Sequence, residues 1–286
     1  MPNLMPNKLP SLKPQALWQG AGLGLHARHL PELLATPPAA VEFMEIAPEN
    51  WLTKGGQSAR QLQALAERMP LVAHGLNLNL GGRRPLDKEL ILAIKGLHHS
   101  LNLRFYSEHL SWCADEGNFY DLLPLPFTAE AVLHVAARIR QVQDMLECFI
   151  GVENISYYLP QNPGDLSEPE FITAVLQEAN CLLHLDVNNV YVNSINQGMD
   201  ARAFIDAMPS EKIAYMHIAG HSQEAADLII DTHAAPVADP VWDLLAYTYA
   251  TKGVVPTLLE RDFNLPPLAE LNQEVARISC VQHQYA

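Results

Sequence analysis

At 286 residues the chain is long enough for one large α/β domain or two small ones. Hydrophobic residues make up 49% and charged residues only 17%, so the chain can bury a sizeable core and is not of the disordered class. Its formal net charge of −14 argues against a nucleic-acid groove, which depends on a basic footprint, although bound cations would neutralise part of that charge.

In chain order, residues 1–20 come first. They open MPNLMPNKLPSLKPQ, with four prolines and no hydrophobic core, and read as an irregular arm rather than a signal peptide. From residue 21 to 286 a regular alternation follows, taken as one domain. Short apolar runs at 21–25, 41–46, 71–76, 103–109, 148–153, 181–187, 213–218 and 255–260 predict strands. Helical patterns occupy 29–35, 57–68, 87–99, 128–146, 168–179, 200–207, 240–251 and 266–282. The clearest is 128–146, with Ala131, Val135, Arg138, Ile139 and Val142 at helical spacing and Thr128 placed as its cap. Ser167 and Glu170 make a capping-box pattern ahead of Phe171. Strands alternating with helices imply parallel pairing and right-handed crossovers, and strands apolar on both faces imply layers on either side. A closed (β/α)8 TIM barrel is the simplest solution, since a doubly wound sheet predicts a G-x-G-x-x-G loop and GLGLH at 22–26 matches only its first half. The irregular stretch 110–127, containing Asn118, Phe119 and Tyr120, is expected to form a hairpin-like insertion after the fourth strand, over the top of the barrel.

The four cysteines, Cys113, Cys148, Cys181 and Cys280, form no C-x-x-C pair and suit a reduced, cytoplasmic protein rather than a disulfide framework. No apolar run reaches the roughly 18–20 residues that span a bilayer, so no membrane partner is expected.

The chemistry gathers where these strands run out. In order stand Glu45, His74, His109, Glu153, Asp186, His217 and His221, Asp231 and His233, and Glu260. In a barrel the C-terminal strand ends form the active face. Alternation along each strand pairs Val72 with His74, Ser107 with His109, Gly151 with Glu153, His184 with Asp186 and Leu258 with Glu260, a ligand type nearest the rim each time. His184 would lie one layer below Asp186 as a supporting partner, and Glu108 would face away from His109. A lone histidine at a strand end is ordinarily a hydrogen-bonded rim residue, and Asp186 followed by Asn188 and Asn189 matches ordinary turn chemistry. HIAGH at 217–221 lacks the glutamate of the zincin helix. Taken together, however, so many ionisable groups at converging strand ends would repel one another and lose hydration, and bound cations are the natural compensation. Asn50, Trp51, Asn77, Trp112 and Tyr157 could line a groove at the rim or simply pack there.

The motifs EIAPENW, HGLNL, SEHLSW, ENIS, HLDVNN, HIAGH, DTH and LLERD resemble the multinuclear non-haem iron-dependent oxidative enzymes, a bacterial family of the xylose-isomerase-like TIM-barrel group. The resemblance runs from about residue 20 to the end. It implies an enzyme that uses two or three iron ions and O2 to oxidise cysteine residues in a ribosomally made precursor peptide, aided by a small partner protein that presents it. By position, His74, His109 and Glu153 would hold one iron, and Glu153 would bridge to a second held by Asp186, His217 and Glu260. Asp231 and His233, with Asn189 or His221 nearby, would form a looser third site, and Asp186 and His217 would be catalytic through the metal. The same order of groups also resembles divalent-metal TIM-barrel enzymes: the apurinic endonucleases, and more weakly the sugar isomerases. Against the endonuclease stand Asn189, where that family has a histidine, and the acidic charge balance. A metal-binding scaffold that only recruits a partner is the remaining class.

Overall fold

The computed structural model describes residues 18–158 and 164–286; of the arm expected over 1–20, residues 1–17 lie outside them. The strands, in chain order, are β1 (Ala21–Gly24), β2 (Phe43–Ile46), β3 (Leu71–Gly75), β4 (Tyr106–His109), β5 (Trp112–Ala114), β6 (Asn118–Leu123), β7 (Gly151–Glu153), β8 (Leu182–Asp186), β9 (Ile213–Ala219), β10 (Ser222–Ala225), β11 (Leu228–Ile230) and β12 (Thr257–Glu260). The helices are α1 (Leu30–Ala35), α2 (Glu49–Leu52), α3 (Gly56–Ala66), α4 (Lys88–Leu101), α5 (Ala129–Leu146), α6 (Glu168–Ala179), α7 (Val187–Gln197), α8 (Ala201–Ala207), α9 (Asp239–Lys252) and α10 (Leu268–Tyr285). Eight of the strands close into a parallel barrel in the order β1-β12-β9-β8-β7-β4-β3-β2. The remaining four make two antiparallel hairpins, β5–β6 and β10–β11.

The helices form where the sequence marks them. Thr128 accepts the Ala131 amide at the start of α5, whose stripe Val132, Val135, Ile139, Val142 and Leu146 is buried against the sheet. Ser167 and Glu170 close a full capping box on α6. Asn102 and Asn180 end α4 and α6 in the left-handed conformation, which asparagine tolerates. Three features were not legible in the strand–helix alternation: the short α2 after β2, α7 and the β10–β11 hairpin. Residues 187–197 are helical immediately after β8, with Asp186 as the cap, so the Asn188–Asn189 step is the first turn of a helix rather than a loop turn. The β10–β11 hairpin sits between β9 and α9, where the sequence reading left a plain loop.

The barrel interior is divided by height. Its lower part is an aromatic plug: Trp18, Phe43, Val72, Phe105, Leu182, Ala214, Tyr215 and Leu258 form a buried cluster separate from the large core between strands and helices. The Trp18 ring lies 6.0 Å from Phe43, 5.5 Å from Phe105 and 5.5 Å from Tyr215. Glycine leaves the room for it, since a Cβ on Gly22 would stand 2.5 Å from the Phe43 ring and one on Gly151 would stand 2.8 Å from Phe105. Above the plug the interior turns polar, and there the ligand types of the strand ends meet. Trp18 is 6% exposed, so Trp18→Ala is expected to cost about 3–5 kcal/mol of stability, read as a lower urea midpoint at an unchanged slope.

Candidate metal centre

Glu153, the last residue of β7, stands at the middle of the polar layer with 2% of its surface exposed. One carboxylate oxygen, Oε2, lies 3.1 Å from His74 Nε2 and 3.2 Å from His109 Nε2. The other, Oε1, lies 3.5 Å from His217 Nδ1 and 3.7 Å from His184 Nε2. The carboxylate therefore presents one oxygen to each of two groups of histidines.

Hydrogen bonds behind the histidines decide which ring nitrogen faces inward. Tyr215 donates its hydroxyl to Glu45 Oε2 at 2.7 Å, so the Ser107 hydroxyl, 2.7 Å away, donates to Tyr215. His74 Nδ1–H then donates to Ser107 Oγ at 2.9 Å, which leaves the Nε2 lone pair of His74 aimed into the site. His109 Nδ1–H donates to the Gly75 carbonyl at 3.0 Å, which exposes its Nε2 in the same way. These two Nε2 atoms are only 3.1 Å apart. Two lone pairs at that distance repel unless a cation, either a proton or a metal, lies between them or beside them. Atoms about 3 Å apart are also what ligands bound at 2.0–2.2 Å show when they meet at near right angles on one ion.

On the second side, His217 directs Nε2 to Glu45, 3.0 Å from each carboxylate oxygen, and turns Nδ1 inward. That Nδ1 is 2.9 Å from Glu260 Oε2 and 4.0 Å from Asp186 Oδ2, yet has no aligned hydrogen-bond partner. Asp186 spends Oδ1 on the Asn189 amide at 2.6 Å, capping α7, while Oδ2 is fully buried and unpartnered. Asn154 clamps the same strand end, its amide bonding both the N–H and the carbonyl of Asp186. One ligand atom from each of Glu153, Asp186, His217 and Glu260 falls within a 4.8 Å span.

A third group lies on the outer side of Glu260. His233 Nε2 is 2.8 Å from Asp231 Oδ1, and its Nδ1 is 3.0 Å from Asp262 Oδ2 and 3.4 Å from Glu260 Oε2. Asp231 also receives the Ser156 hydroxyl at 3.1 Å and the Asn188 amide at 2.8 Å. His233 adopts φ +48°, a left-handed backbone that histidine tolerates better than most residues. Gly220 lets this loop fold close, because a Cβ there would sit 1.9 Å from the Ala235 carbonyl oxygen.

Of the sequence candidates, His74, His109, Glu153, Asp186, His217 and Glu260 converge around Glu153, and Asp231 and His233 meet beside Glu260. His221 instead bonds Asn188 Oδ1 at 2.8 Å and stacks on Tyr191. Asn189 bonds the Asn154 carbonyl through Nδ2 and keeps a buried, unpartnered Oδ1. Asp262, Asn154 and Asn188 were missed. Asp262 and Asn154 each stand next to a motif carboxylate (R-D after Glu260, E-N from Glu153), and that adjacency was the available signal. Among the groove candidates, Trp51 and Tyr157 are buried as packing residues, while Asn50 and Asn77 are exposed.

Electrostatics ties these groups together. Burial drives the Glu153 carboxyl upward, but the charges of His74, His184 and His109 outweigh it and hold Glu153 well below the usual carboxylate range. Burial lowers His74, while Glu153 and Glu45 more than compensate and lift it to about 9. His217 is raised well above its ordinary value against its burial, by Glu45 and Glu260. Burial and the nearby Glu153 charge push Asp186 well above the normal range. Burial and the neighbouring His217 charge push His184 well below its own. Without metal, the cluster balances its buried carboxylates by taking up protons. The donor set fits a polynuclear site for that reason: buried unpartnered atoms, inward lone pairs and shared carboxylates all call for cations.

The fold is a closed, eight-stranded parallel TIM barrel. Structures similar to it include D-psicose 3-epimerase from Clostridium cellulolyticum H10 (TM-score 0.61, 10% identity, 93% of this chain and 99% of that one). Another is 3-keto-D-glucoside 4-epimerase from E. coli (TM-score 0.60, 12% identity, 92% and 99%). At such identities these likenesses speak for the fold alone. The sequence is more particular. The chain belongs to the family described as RiPP precursor modification enzyme MbnB/TglH/ChrH, whose profile matches residues 20–283. UPF0276 proteins of Pseudomonas aeruginosa (57% identical over 265 residues, 93% of each chain) and Nitrosospira multiformis (54% over 265 residues, 93% and 94%) are similar along nearly their whole length.

The raised histidines set a pH dependence of known sign. A histidine at about 9 when folded and near 6.5 when unfolded adds stability below pH 6.5 that is lost as pH rises through 9. Metal binding must displace those protons, so it strengthens over the same interval. The metal-free protein is therefore expected to melt at lower temperature at pH 9 than at pH 6.5, with the trend reversed when excess metal is present. Thermal melts of both forms across that range check it.

Proposed function

We propose that this protein is a multinuclear iron oxidase that uses O2 to modify cysteine residues of a ribosomally synthesised precursor peptide, with a small partner protein presenting the peptide. The observation that carries the metal part is the pair of inward Nε2 lone pairs of His74 and His109, 3.1 Å apart over a carboxylate whose other oxygen serves a second ligand group. Imidazole and carboxylate without thiolate suit ferrous iron, and among the described residues no cysteine joins the candidate groups, so a substrate thiolate would meet no competitor from the protein. The peptide part is supported by the family and by the rim. Leu76, Phe119, Leu228 and Phe263, in four different segments that follow barrel strands, are 37%, 37%, 37% and 67% exposed, apolar groups available to a bound peptide.

In this reading His74, His109 and Glu153 would hold one iron, and Glu153, Asp186, His217 and Glu260 would hold the next. Asp231 and His233 would hold a looser third. Bound ferrous ions supply O2 binding and the acidity that turns a peptide thiol into thiolate. The chain's own groups do the rest. Glu45, Tyr215 and Ser107 fix the proton positions of His217 and His74, Asn154 and the α7 cap fix Asp186, and the plug below keeps water from beneath the ions.

Elemental analysis of protein purified without added metal is expected to give more than one equivalent of iron, with the Asp231–His233 position partly filled. Glu153→Ala should lose more iron than any other single ligand change, because it serves two ions. Full iron content in Glu153→Ala would remove the bridge from the proposal.

The iron-loaded protein should consume O2 when given a cognate cysteine-containing peptide and the partner, the peptide losing hydrogens in pairs or rearranging about sulfur. Asp186→Ala and His217→Ala should abolish this, and a Cys→Ser peptide should be inert because its hydroxyl does not ionise near neutral pH. The competing hydrolase would instead cleave an abasic oligonucleotide with zinc and without oxygen uptake; that result from the same preparation would overturn the reading.

A further inference from the structure

We infer that His184 is a further protein ligand to the metal position held by His74 and Glu153, an assignment that rests on the metal-centre reading above. Position along β8 places His184 two residues before Asp186, one step deeper. Across the sheet, His109 pairs in register with Glu153, Glu153 with His184, and His184 with Tyr215. His184 is thus the direct neighbour of Glu153 across the sheet, standing between it and the floor residue Tyr215.

The side chain itself points to a missing partner. His184 is 0% exposed and neither ring nitrogen has a hydrogen-bond partner. Each buried unsatisfied polar atom costs about 1–3 kcal/mol, so a histidine left this way as core filling would be disfavoured against leucine or phenylalanine. Its Nε2 is 3.7 Å from Glu153 Oε1, too far for a hydrogen bond. That separation does suit two ligands on one ion, whose atoms stand roughly 3 Å apart at right angles and about 4 Å when opposite. Ligand atoms of His74, Glu153 and His184 all lie within 4.8 Å of one another. The ring is held for this purpose, stacked on Tyr215 at 4.0 Å and 20°, with the edges of His217 and His74 at 3.9 Å and 4.9 Å. Such a ligand gives the His74 ion a third imidazole and leaves it fewer exchangeable positions than His74, His109 and Glu153 alone would.

The test uses the full-length protein, stripped of metal and titrated anaerobically with ferrous iron, comparing wild type with His184→Phe and His184→Gln. Phenylalanine keeps a ring on Tyr215, glutamine keeps a polar group, and circular dichroism of the metal-free forms reports folding. Calorimetry should show, in both variants, one ferrous ion bound as in wild type and another weakened by more than about tenfold, with one altered Mössbauer doublet. A wild-type isotherm and spectrum in either folded variant would overturn the assignment; if only glutamine restored them, His184 would be a hydrogen-bond partner of Glu153 and not a ligand. Fewer than two ferrous ions on the wild-type protein would instead bring down the metal-centre reading itself, which separates the two failures.

Discussion

Two imidazole nitrogens turned toward each other 3.1 Å apart, with their far sides already committed to Ser107 and Gly75, set the terms for everything around them. Such a pair needs positive charge, and Glu153 supplies the counter-charge on which that positive charge can rest. The rest of the upper barrel extends this logic. Glu45 holds His217, Glu260 stands between His217 and His233, and Asp186 keeps one buried oxygen free. Buried carboxylates and histidines in such numbers are tolerable only as a set, because removing one leaves its neighbours with uncompensated charge in a medium that screens poorly.

The positioning comes from strands and not from loops. Residues at the ends of β3, β4, β7, β8, β9 and β12 reach the centre with backbones locked in the sheet. Asp186 adds a second constraint by ending a strand and capping a helix at once, so a change there disturbs both local folding and the centre. Only the Asp231–His233 group hangs on a loop, and it is there that the backbone takes a left-handed residue.

Much of this was legible in the sequence because a parallel barrel converts one-dimensional spacing into a ring. Apolar runs gave the eight barrel strands within a few residues, and parity along each run identified the inward face. The failures share a cause, which is that strand-by-strand reasoning carries no information about stagger between strands. His184 does stand one step below Asp186, but its register beside Glu153, which brings Nε2 to 3.7 Å from that carboxylate, depends on the stagger of β8 against β7. Asn189 was the candidate near Asp231, but the rotation set by α7 sends Asn188 toward Asp231 and Asn189 toward Asn154. Asp262 stands two residues after Glu260 in the sequence, but its approach to His233 comes from loops that meet only in the fold.

Trp18 and the rings of Phe43, Phe105 and Tyr215 make the upper barrel a cup and not a tube. A tube can be fed from one end and drained from the other; a cup has one aperture for every arrival and departure. A chain laid across that aperture is also its lid, and small molecules on the wrong side of the lid must wait. The floor of the barrel thus fixes the side from which anything must reach the centre, and its Tyr215 also extends upward to Glu45 and His184.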